Sequence, residues 1–401
     1  EQTFTLNTEE ELRVEVDWGK QIELQLTSGT AEIFGNELPT EKVFQLSSCK
    51  FAVFSWHGGT IKIEGTGYHA YVADETPMGT YANFHSILDT RRRIAEQSGG
   101  AGPRVLIAGP VDSGKSSLAK ILMGYAARQN RLTIFADLDI GQSCITVPGM
   151  ISAIHADRPY NVEEGFSKRA PLVYFYGHNN LDKNEECYKR QVGVLFSQID
   201  SLMENDTNVK SSGTIINTCG WITGKGYDIL CSTIEISKSD IVVVLDNERL
   251  YNDLSKKFGP KVEVVKLAKS GGVVSRQPDF RRRIRSDIIR QYFYGPKNDL
   301  SPGVITLSWA AIALYRVGGG YQAPACALPI GASSVQDPVS LELINPSTEL
   351  ERTIVAVSYS QDESTLLDYN IAGYLHIKKV NMDTGKIEFL SPNSFKSLTL
   401  P

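Results

Sequence analysis

Several patterns that mark whole classes of protein are missing from these 401 residues. None of the six cysteines stands in a C-x-x-C pair, which argues against a zinc site and favours reduced thiols in the cytosol or nucleus. No apolar run approaches the roughly 20 residues that cross a bilayer, so we expect no membrane partner. Residues 1–4 begin no basic stretch followed by an apolar one, so we expect no secretory signal.

Excess positive charge is also missing, because the formal net charge is −5. A protein that coats nucleic acid generally is basic overall, so any RNA site here must be a local basic patch. Hydrophobic residues (41%) and charged residues (22%) are present in ordinary amounts, which predicts a soluble globular chain. The length is sufficient for two or three domains.

Three regions differ in their hydrophobic pattern. Up to about residue 72, short runs alternate apolar and polar residues, which predicts a small antiparallel sandwich or barrel used for packing or docking. From residue 104, apolar β-branched runs alternate with amphipathic segments, which predicts a parallel sheet covered by helices on both faces. After about residue 301, strand-like runs return.

We therefore predict an α/β protein whose central parallel-sheet domain lies between two β domains. The expected divisions are an N-terminal β domain at 1–80, a helix and linker at 81–103, the central domain at 104–298 and a C-terminal β-rich domain at 299–401.

A phosphate-binding loop is the strongest local signal. Residues 109–116 read Gly-Pro-Val-Asp-Ser-Gly-Lys-Ser, which fits G-x-x-x-x-G-K-[ST], between a predicted strand and a predicted helix. The backbone N–H groups of such a loop point at phosphate oxygens, the lysine reaches the β- and γ-phosphates, and the serine hydroxyl ligates Mg²⁺. The expected nucleotide contacts are Gly109, Asp112, Ser113, Gly114, Lys115, Ser116 and Ser117.

Two alternatives to a catalytic loop stay open at this stage. One is an ordinary Gly-rich turn, and the other is a loop that binds nucleotide without catalysing. No N-K-x-D segment follows the loop, so we expect ATP rather than GTP.

Carboxylates follow the next predicted strand. Asp137 and Asp139 are expected at its carboxyl end, where open α/β sheets bind ligands, and with their side chains on one side of the strand. A kinase needs a base that accepts the proton of the attacking hydroxyl, and we assign this role to Asp139, with Asp137 as the second choice. The Mg²⁺ role is assigned to Asp137. The alternative is a turn with solvated aspartates.

Two further segments each allow two interpretations. A later strand ends in Asn217 and Thr218 where many ATPases carry a Mg²⁺-organising aspartate, and Trp221 after it either stacks on a base or belongs to the core. Arg276 and Arg281 belong to a basic cluster that is either a lid over ATP or a solvated helix face.

Together these motifs resemble the polyribonucleotide 5′-hydroxyl kinases. The kinase of this family is a subunit of pre-mRNA cleavage factor II and of the tRNA splicing endonuclease complex. The resemblance lies in the N-terminal and central predicted domains, and it implies a C-terminal β-rich domain after them. It is carried by residues 11–13, 31–35, 54–58, 109–117, 137–142, 147–149, 217–221, 244–251, 269–273 and 292–295.

The resemblance implies an ATP- and Mg²⁺-dependent kinase domain of P-loop type that phosphorylates the 5′-hydroxyl end of RNA in the nucleus, with the protein subunits of both complexes as partners. It implies that Lys115, Asp139, Arg276 and Arg281 are catalytic and that the two arginines belong to a lid. It also implies nucleotide contacts from Glu11 and Lys50. The implied RNA contacts are Gln142, Val147, Pro148, Gly149 and Trp221.

Two other functions remain as alternatives. Some members of the family have lost catalysis and act as ATP-bound scaffolds in mRNA 3′-end processing, although this chain keeps the catalytic residues. A nucleoside or nucleotide kinase would bury a small acceptor, whereas an RNA kinase needs an open groove.

Overall fold

The computed structural model describes residues 1–156, 158–167, 170–318 and 337–392, which form two compact units. The first unit comprises Glu1–Asp139, Ala153–Pro171 and Phe196–Arg276. The second comprises Ile140–Ser152, Leu172–Leu195 and Gln277–Pro401. Cys326 lies outside the described residues, and the other five cysteines form no disulfide within the described part of the chain.

The first unit begins with an antiparallel β-sandwich. Its strands are β1 Gln2–Leu6, β2 Glu10–Val16, β3 Gln21–Gly29, β4 Glu32–Ile33, β5 Asn36–Glu37, β6 Val43–Ser47, β7 Lys50–Ser55, β8 Gly59–Gly65 and β9 Tyr68–Ala73. One sheet has the order β1-β8-β3-β6 and the other β5-β4-β7-β2-β9. The alternate apolar residues of both sheets, such as Leu12, Leu24 and Ile63, form one buried core, so the predicted sandwich or barrel is a sandwich.

The middle of the chain alternates helices and strands. Its elements are α1 Met78–Ser98, β10 Arg104–Ala108, α2 Lys115–Arg128, β11 Ile134–Asp137, β12 Met150–His155, β13 Leu172–Phe175, α3 Glu185–Asn205, α4 Thr207–Ser212, β14 Thr214–Asn217, α5 Lys225–Ile236, β15 Ile241–Leu245, α6 Glu248–Phe258, β16 Glu263–Leu267 and α7 Pro278–Tyr294. Within the first unit, parallel strands run in the order β11-β14-β10-β15-β16. All five residues of β15 are apolar and buried, as expected of a strand that is covered on both faces.

The strand order places several loops at one edge of this parallel sheet. β10 is followed along the chain by β11, but β11 pairs with β14 and not with β10. The loops that follow β10, β11 and β14 therefore start from the carboxyl ends of neighbouring strands. This is where open α/β sheets bind their ligands.

The second unit contains the C-terminal strands β17 Gly303–Ser308, β18 Tyr315–Val317, β19 Leu341–Leu343, β20 Ile354–Ser358, β21 Ile371–Asn381 and β22 Lys386–Ser391. Four of them form an antiparallel sheet in the order β17-β22-β21-β20. Ile377, Val380, Ile387 and Phe389 form its buried core. The α/β class, with a parallel sheet between two β-rich parts, is the predicted fold class.

Candidate active site

The predicted phosphate loop connects β10 to α2. Its backbone has positive φ values at Gly109 (157°), Asp112 (56°) and Gly114 (90°). A Cβ added at Gly109 would lie 2.8 Å from both the carbonyl oxygen of Leu245 and the hydroxyl oxygen of Ser113, so only glycine fits there. The Ser113 hydroxyl is buried and has no hydrogen-bond partner among the described residues. This tight wrap before the N-terminus of α2 fits an anion cradle.

Lys115 is the first residue of α2 and is 6% exposed. Its Nζ donates hydrogen bonds to the carbonyl oxygens of Gly109 (2.9 Å) and Pro110 (2.7 Å). Burial lowers the pKa of this ammonium group, and the negative charge of nearby Asp139 opposes that shift. Lys115 and Asp139, which were predicted separately, therefore belong to one site.

Asp137 ends β11 and is fully buried. Its Oδ1 accepts hydrogen bonds from Asn217 Nδ2 (2.9 Å) and from the backbone N–H of Asp139 (3.2 Å). The same Asn217 Nδ2 lies 3.3 Å from the Ser116 hydroxyl. The side-chain amide of Asn217 thus joins Ser116 and Asp137, the two residues predicted for Mg²⁺. The sequence pattern predicts no role for this amide.

Asp139 lies beyond the strand, and this corrects one premise. Because β11 ends at Asp137, the alternation of side chains along a strand does not apply to Asp139. Asp139 instead lies in the loop that follows β11 and is partly exposed, whereas Asp137 is buried. An acceptor hydroxyl has access only to an exposed carboxylate, so the accessibility of Asp139 is consistent with its predicted role as base.

Cys219 lies near the same two charges. Burial raises the pKa of its thiol to about 11, with a smaller contribution from the negative charge of Asp139 and an opposing one from Lys115. The thiol is therefore protonated at neutral pH and is a poor nucleophile.

The segment 270–276 lies beside the phosphate loop. The backbone N–H of Arg276 donates to Asp112 Oδ2 at 2.8 Å. A Cβ on Gly114 would lie 3.1 Å from Val273 Cγ2, so the two backbones approach closely. Arg276, predicted as a lid arginine, is thereby placed at the loop by its own backbone, in the stretch between β16 and α7.

Glu11, on β2, reaches the same segment from the sandwich. It is 2% exposed, pairs with Arg13 Nε at 2.6 Å and accepts hydrogen bonds from Thr76 Oγ1 (2.8 Å) and Ser270 Oγ (3.4 Å). Arg13 in turn packs on Gly272, where a Cβ would lie 2.9 Å from Arg13 Cδ. The sandwich therefore contributes directly to the surroundings of the phosphate loop, which no local pattern in the sequence indicated.

Lys50, the other residue of the sandwich that was predicted to contact nucleotide, forms an ion pair with Glu15 at 2.5 Å. Their Cα atoms are partners across β2 and β7. Both side chains are partly exposed, with 29% and 35% of their surface accessible.

Trp221 lies in the loop between β14 and α5 and is partly exposed. A Cβ on Gly226, in the first turn of α5, would lie 2.4 Å from Trp221 Cγ, so the ring rests against that turn. At Gly220 a Cβ would lie 2.5 Å from the backbone N of Val111. The loop that carries Trp221 therefore packs on the phosphate loop.

Four of the RNA contacts that the resemblance implies lie in the second unit, namely Gln142, Val147, Pro148 and Gly149. Gly149 donates its N–H to the carbonyl oxygen of Ile140 at 2.8 Å, which closes the loop that contains Gln142 and Pro148. Val147 is 3% exposed and packs in a cluster with residues of β12, β13 and β21. Val147 is therefore held by packing, and its side chain offers little surface to a ligand.

Arg281 also lies in the second unit, four residues after the N-cap of α7 at Gln277. Arg276 precedes this helix, so the two predicted lid arginines stand on a loop and on the helix that follows it.

Three family models match successive parts of this chain. Residues 109–295 match the family model described as the P-loop of mRNA cleavage and polyadenylation factor CLP1. Residues 5–95 match the N-terminal β-sandwich domain of polyadenylation factor, and residues 300–398 match pre-mRNA cleavage complex II protein Clp1. The match to a P-loop domain identifies the central part as nucleotide-binding.

Named relatives cover nearly all of this chain. A protein CLP1 homolog of Dictyostelium discoideum is 43% identical over 97% of this chain and 85% of its own length. The polyribonucleotide 5′-hydroxyl-kinase Clp1 of Homo sapiens is 38% identical over 97% of this chain and 92% of its own. A solved Clp1p–Pcf11p structure shares the fold, with a TM-score of 0.85 at 22% identity over 99% of this chain and 96% of that one. The chain therefore belongs to the Clp1 family of pre-mRNA cleavage complex proteins.

Proposed function

We propose that this protein is a kinase that transfers the γ-phosphate of ATP to the 5′-hydroxyl end of RNA. The observation that carries the proposal is the convergence of Lys115, Ser116, Asp137 and Asp139 at the carboxyl edge of the parallel sheet. Relatives 38% identical over most of the chain are named polyribonucleotide 5′-hydroxyl kinases, which supports the same reaction.

Each residue has a distinct role in the proposed reaction. Asp139 orients the RNA 5′-hydroxyl and takes its proton as the oxygen attacks the γ-phosphorus. Lys115 exchanges its carbonyl partners for phosphate oxygens and stabilises the charge that spreads over the transferring group. Arg276 and Arg281 supply further positive charge from the lid.

The residues present fit Mg²⁺, which this reaction requires. Within the described ranges no group of three or more His, Cys, Asp or Glu residues forms a metal cage. Mg²⁺ sites in phosphoryl-transfer enzymes instead use one or two protein oxygens together with substrate phosphates, and the Ser116 hydroxyl and Asp137 carboxylate supply these. Bound there, Mg²⁺ would neutralise charge on the phosphates.

Acceptor and nucleotide contacts complete the proposed site. Trp221 stacks on the terminal base, and Gln142, Pro148 and Gly149 hold the RNA end. The buried side chain of Val147 supports that segment by packing. Glu11 and Lys50 contact the nucleotide, and the remaining contacts come from the phosphate loop. The three-domain division with bounds near 80, 104 and 298 is part of the same proposal.

The proposed partners are proteins of the mRNA cleavage machinery and of the tRNA splicing endonuclease complex, with function in the nucleus. The family descriptions name a pre-mRNA cleavage complex, and solved relatives are bound to Pcf11p, which supports the first of these. Within the described residues, no helix combines the length and the apolar character that crossing a bilayer needs.

The test is transfer of labelled γ-phosphate from ATP to a short RNA with a 5′-hydroxyl. The same RNA carrying a 5′-phosphate, the matching DNA and a free nucleoside serve as parallel acceptors. We expect label on the 5′-hydroxyl RNA and none on the 5′-phosphorylated RNA. Bound ATP without label on any acceptor would replace the kinase with a scaffold, and label on the nucleoside alone would indicate a small-molecule kinase.

The Lys115→Ala variant assigns the loop. We expect transfer to fall by at least about 100-fold, since the lost ammonium stabilises transition-state charge. Lys120→Ala is the matched control on the same helix, because the Lys120 ammonium packs over the rings of Phe34 (4.9 Å) and Tyr160 (4.7 Å). Lys115→Ala activity within about tenfold of the unchanged protein, or about 1.4 kcal/mol, would contradict the assignment.

A further inference from the structure

We infer that Asn217 is a positioning residue that couples the phosphate loop to the carboxylate strand and so sets the magnesium dependence of nucleotide binding. The inference rests on the proposed function, because it concerns the Mg²⁺ ligands Ser116 and Asp137. It adds a residue that lies in neither the loop motif nor the pair of aspartates.

The geometry of Asn217 is that of a bridge. Its Nδ2 donates to Asp137 Oδ1 at 2.9 Å and to Ser116 Oγ at 3.3 Å. A side-chain amide has two N–H bonds, so this one nitrogen serves both acceptors. Asn217 is fully buried at the carboxyl end of β14, between β10 and β11 in the sheet. Asn217 and Asp137 therefore stand side by side at the ends of paired strands, with Ser116 in the first turn of α2.

The chemistry of the bridge explains why an amide stands there. A carboxylate at position 217 would have no N–H to donate and would place a second negative oxygen about 3 Å from Asp137 Oδ1. The amide instead donates to Asp137 Oδ1 and adds no negative charge beside that carboxylate. By donating to Ser116 Oγ it also leaves the hydroxyl a lone pair for the metal.

Asn217 Oδ1 is a second, independent observation. This atom is buried and has no hydrogen-bond partner among the described residues. A buried amide oxygen left unpaired costs free energy, and proteins keep such groups mainly where they have a task. Its position on the Asp137–Ser116 bridge makes a metal-bound water its natural donor.

The decisive measurement is nucleotide binding with and without Mg²⁺, which needs no turnover. The affinity of the protein for a non-hydrolysable ATP analogue is measured by calorimetry in excess Mg²⁺ and in chelator. For Asn217→Ala we expect the enhancement by Mg²⁺ to shrink about tenfold, or about 1.4 kcal/mol. Affinity in chelator should change less than threefold. Asn217→Leu, which fills the volume without polar atoms, should behave the same way.

Thr218→Val is the matched control. Thr218 is the neighbouring buried residue, and its hydroxyl donates to the carbonyl oxygen of Ile107. It should lower the melting temperature but leave the enhancement by Mg²⁺ unchanged. The inference is wrong if both Asn217 variants keep the full enhancement of nucleotide affinity by Mg²⁺. It is also wrong if their nucleotide affinity in chelator falls as far as that in Mg²⁺, because Asn217 would then only stabilise the fold. Because turnover is not the readout, absence of RNA phosphorylation would contradict the proposed function and not this inference.

Discussion

Two aspartates separated by one residue occupy different environments at the active edge of the sheet. Asp137 is buried and holds two hydrogen bonds, while Asp139 is partly exposed in the following loop. A buried carboxylate that hydrogen bonds hold in place suits a fixed metal ligand, whereas a base needs access to the acceptor. The structural difference is consistent with the two roles that we propose for these aspartates.

The two roles predict different defects. For Asp139→Asn we expect transfer to RNA to fall by about 100-fold or more, because an amide cannot take the proton. Affinity for Mg²⁺ and the ATP analogue should stay within about threefold. Asp137→Asn should instead raise the Mg²⁺ concentration needed for half-maximal transfer. Initial rates over a Mg²⁺ series distinguish the two, and an exchanged pattern of defects would reverse the assignment.

Residues of the phosphate loop were predictable because their role is local. The fixed spacing from Gly109 to Ser116 creates the cradle with little help from distant residues, and the positive φ values follow from it. Asn217 was missed because its role depends on β14 lying beside β11, which brings together residues 80 positions apart. No property of asparagine at a strand end reveals such a neighbour.

At the scale of elements, the contact between α2 and the sandwich depends on a helical glycine. A Cβ on Gly124 would lie 2.5 Å from the carbonyl oxygen of Phe34 and 3.1 Å from the carbonyl carbon of Gly35. Nearby, Glu32 is buried and accepts hydrogen bonds from Tyr125 and Arg128 of the same helix. The helix that carries Lys115 is therefore anchored on the sandwich along its length.

This contact reverses the usual effect of replacing a helical glycine with alanine. Gly124→Ala should lower the free energy of unfolding by about 1–3 kcal/mol, since the backbone clash outweighs the gain in helix propensity of about 1 kcal/mol. Gly193→Ala, in α3, is the comparison, because its Cβ would meet no described atom within 4 Å. It should raise stability by about 0.5–1 kcal/mol. Urea unfolding measures both, and two stabilised variants would refute the close contact.

Element types were predictable from periodicity, and their ends and neighbours were not. The helix expected within residues 81–103 is α1, Met78–Ser98, which ends where Gly99 adopts a φ of 68°. β12 was not predicted, because five of its six residues are buried and its polar Ser152 interrupts the apolar pattern. A strand buried on both faces gives no alternation to detect.

At the scale of the whole molecule, the two compact units are built from interleaved segments. The second unit joins residues 172–195 to the C-terminal strands through bonds such as Gln191 Nε2 to the carbonyl oxygen of Leu367 (3.1 Å) and Arg190 to Asp368 (2.9 Å). Partners nearly 180 positions apart leave no local signal, so this interleaving was beyond prediction from the sequence pattern.

The stability of the protein should depend on pH through His85. This side chain is 6% exposed, and burial, with the positive charge of Arg92, lowers its pKa to about 4. Arg128 adds to the lowering, while Asp89 and a contact with Gln129 oppose it. The His85 imidazole therefore becomes protonated below about pH 6.5 in the unfolded state but only below about pH 4 in the folded state.

Stability should accordingly fall as pH drops through this window. Between pH 7 and pH 5 we expect a loss of about 2 kcal/mol in the free energy of unfolding from His85 alone. Comparing His85→Gln with the unchanged protein by urea unfolding at both pH values isolates the contribution of this imidazole. An equal pH dependence in the two proteins would show that His85 titrates normally.

The hydrogen bond from Ser270 to Glu11 closes a loop of 259 positions in the chain. During synthesis at about 5–20 residues per second, roughly 13–50 s pass between the emergence of these two residues. The sandwich can fold early, because all of its strands precede residue 74. The segment 270–276 cannot pack beside the phosphate loop until it has left the ribosome. The nascent protein therefore acquires its nucleotide site late, after most of its core is in place.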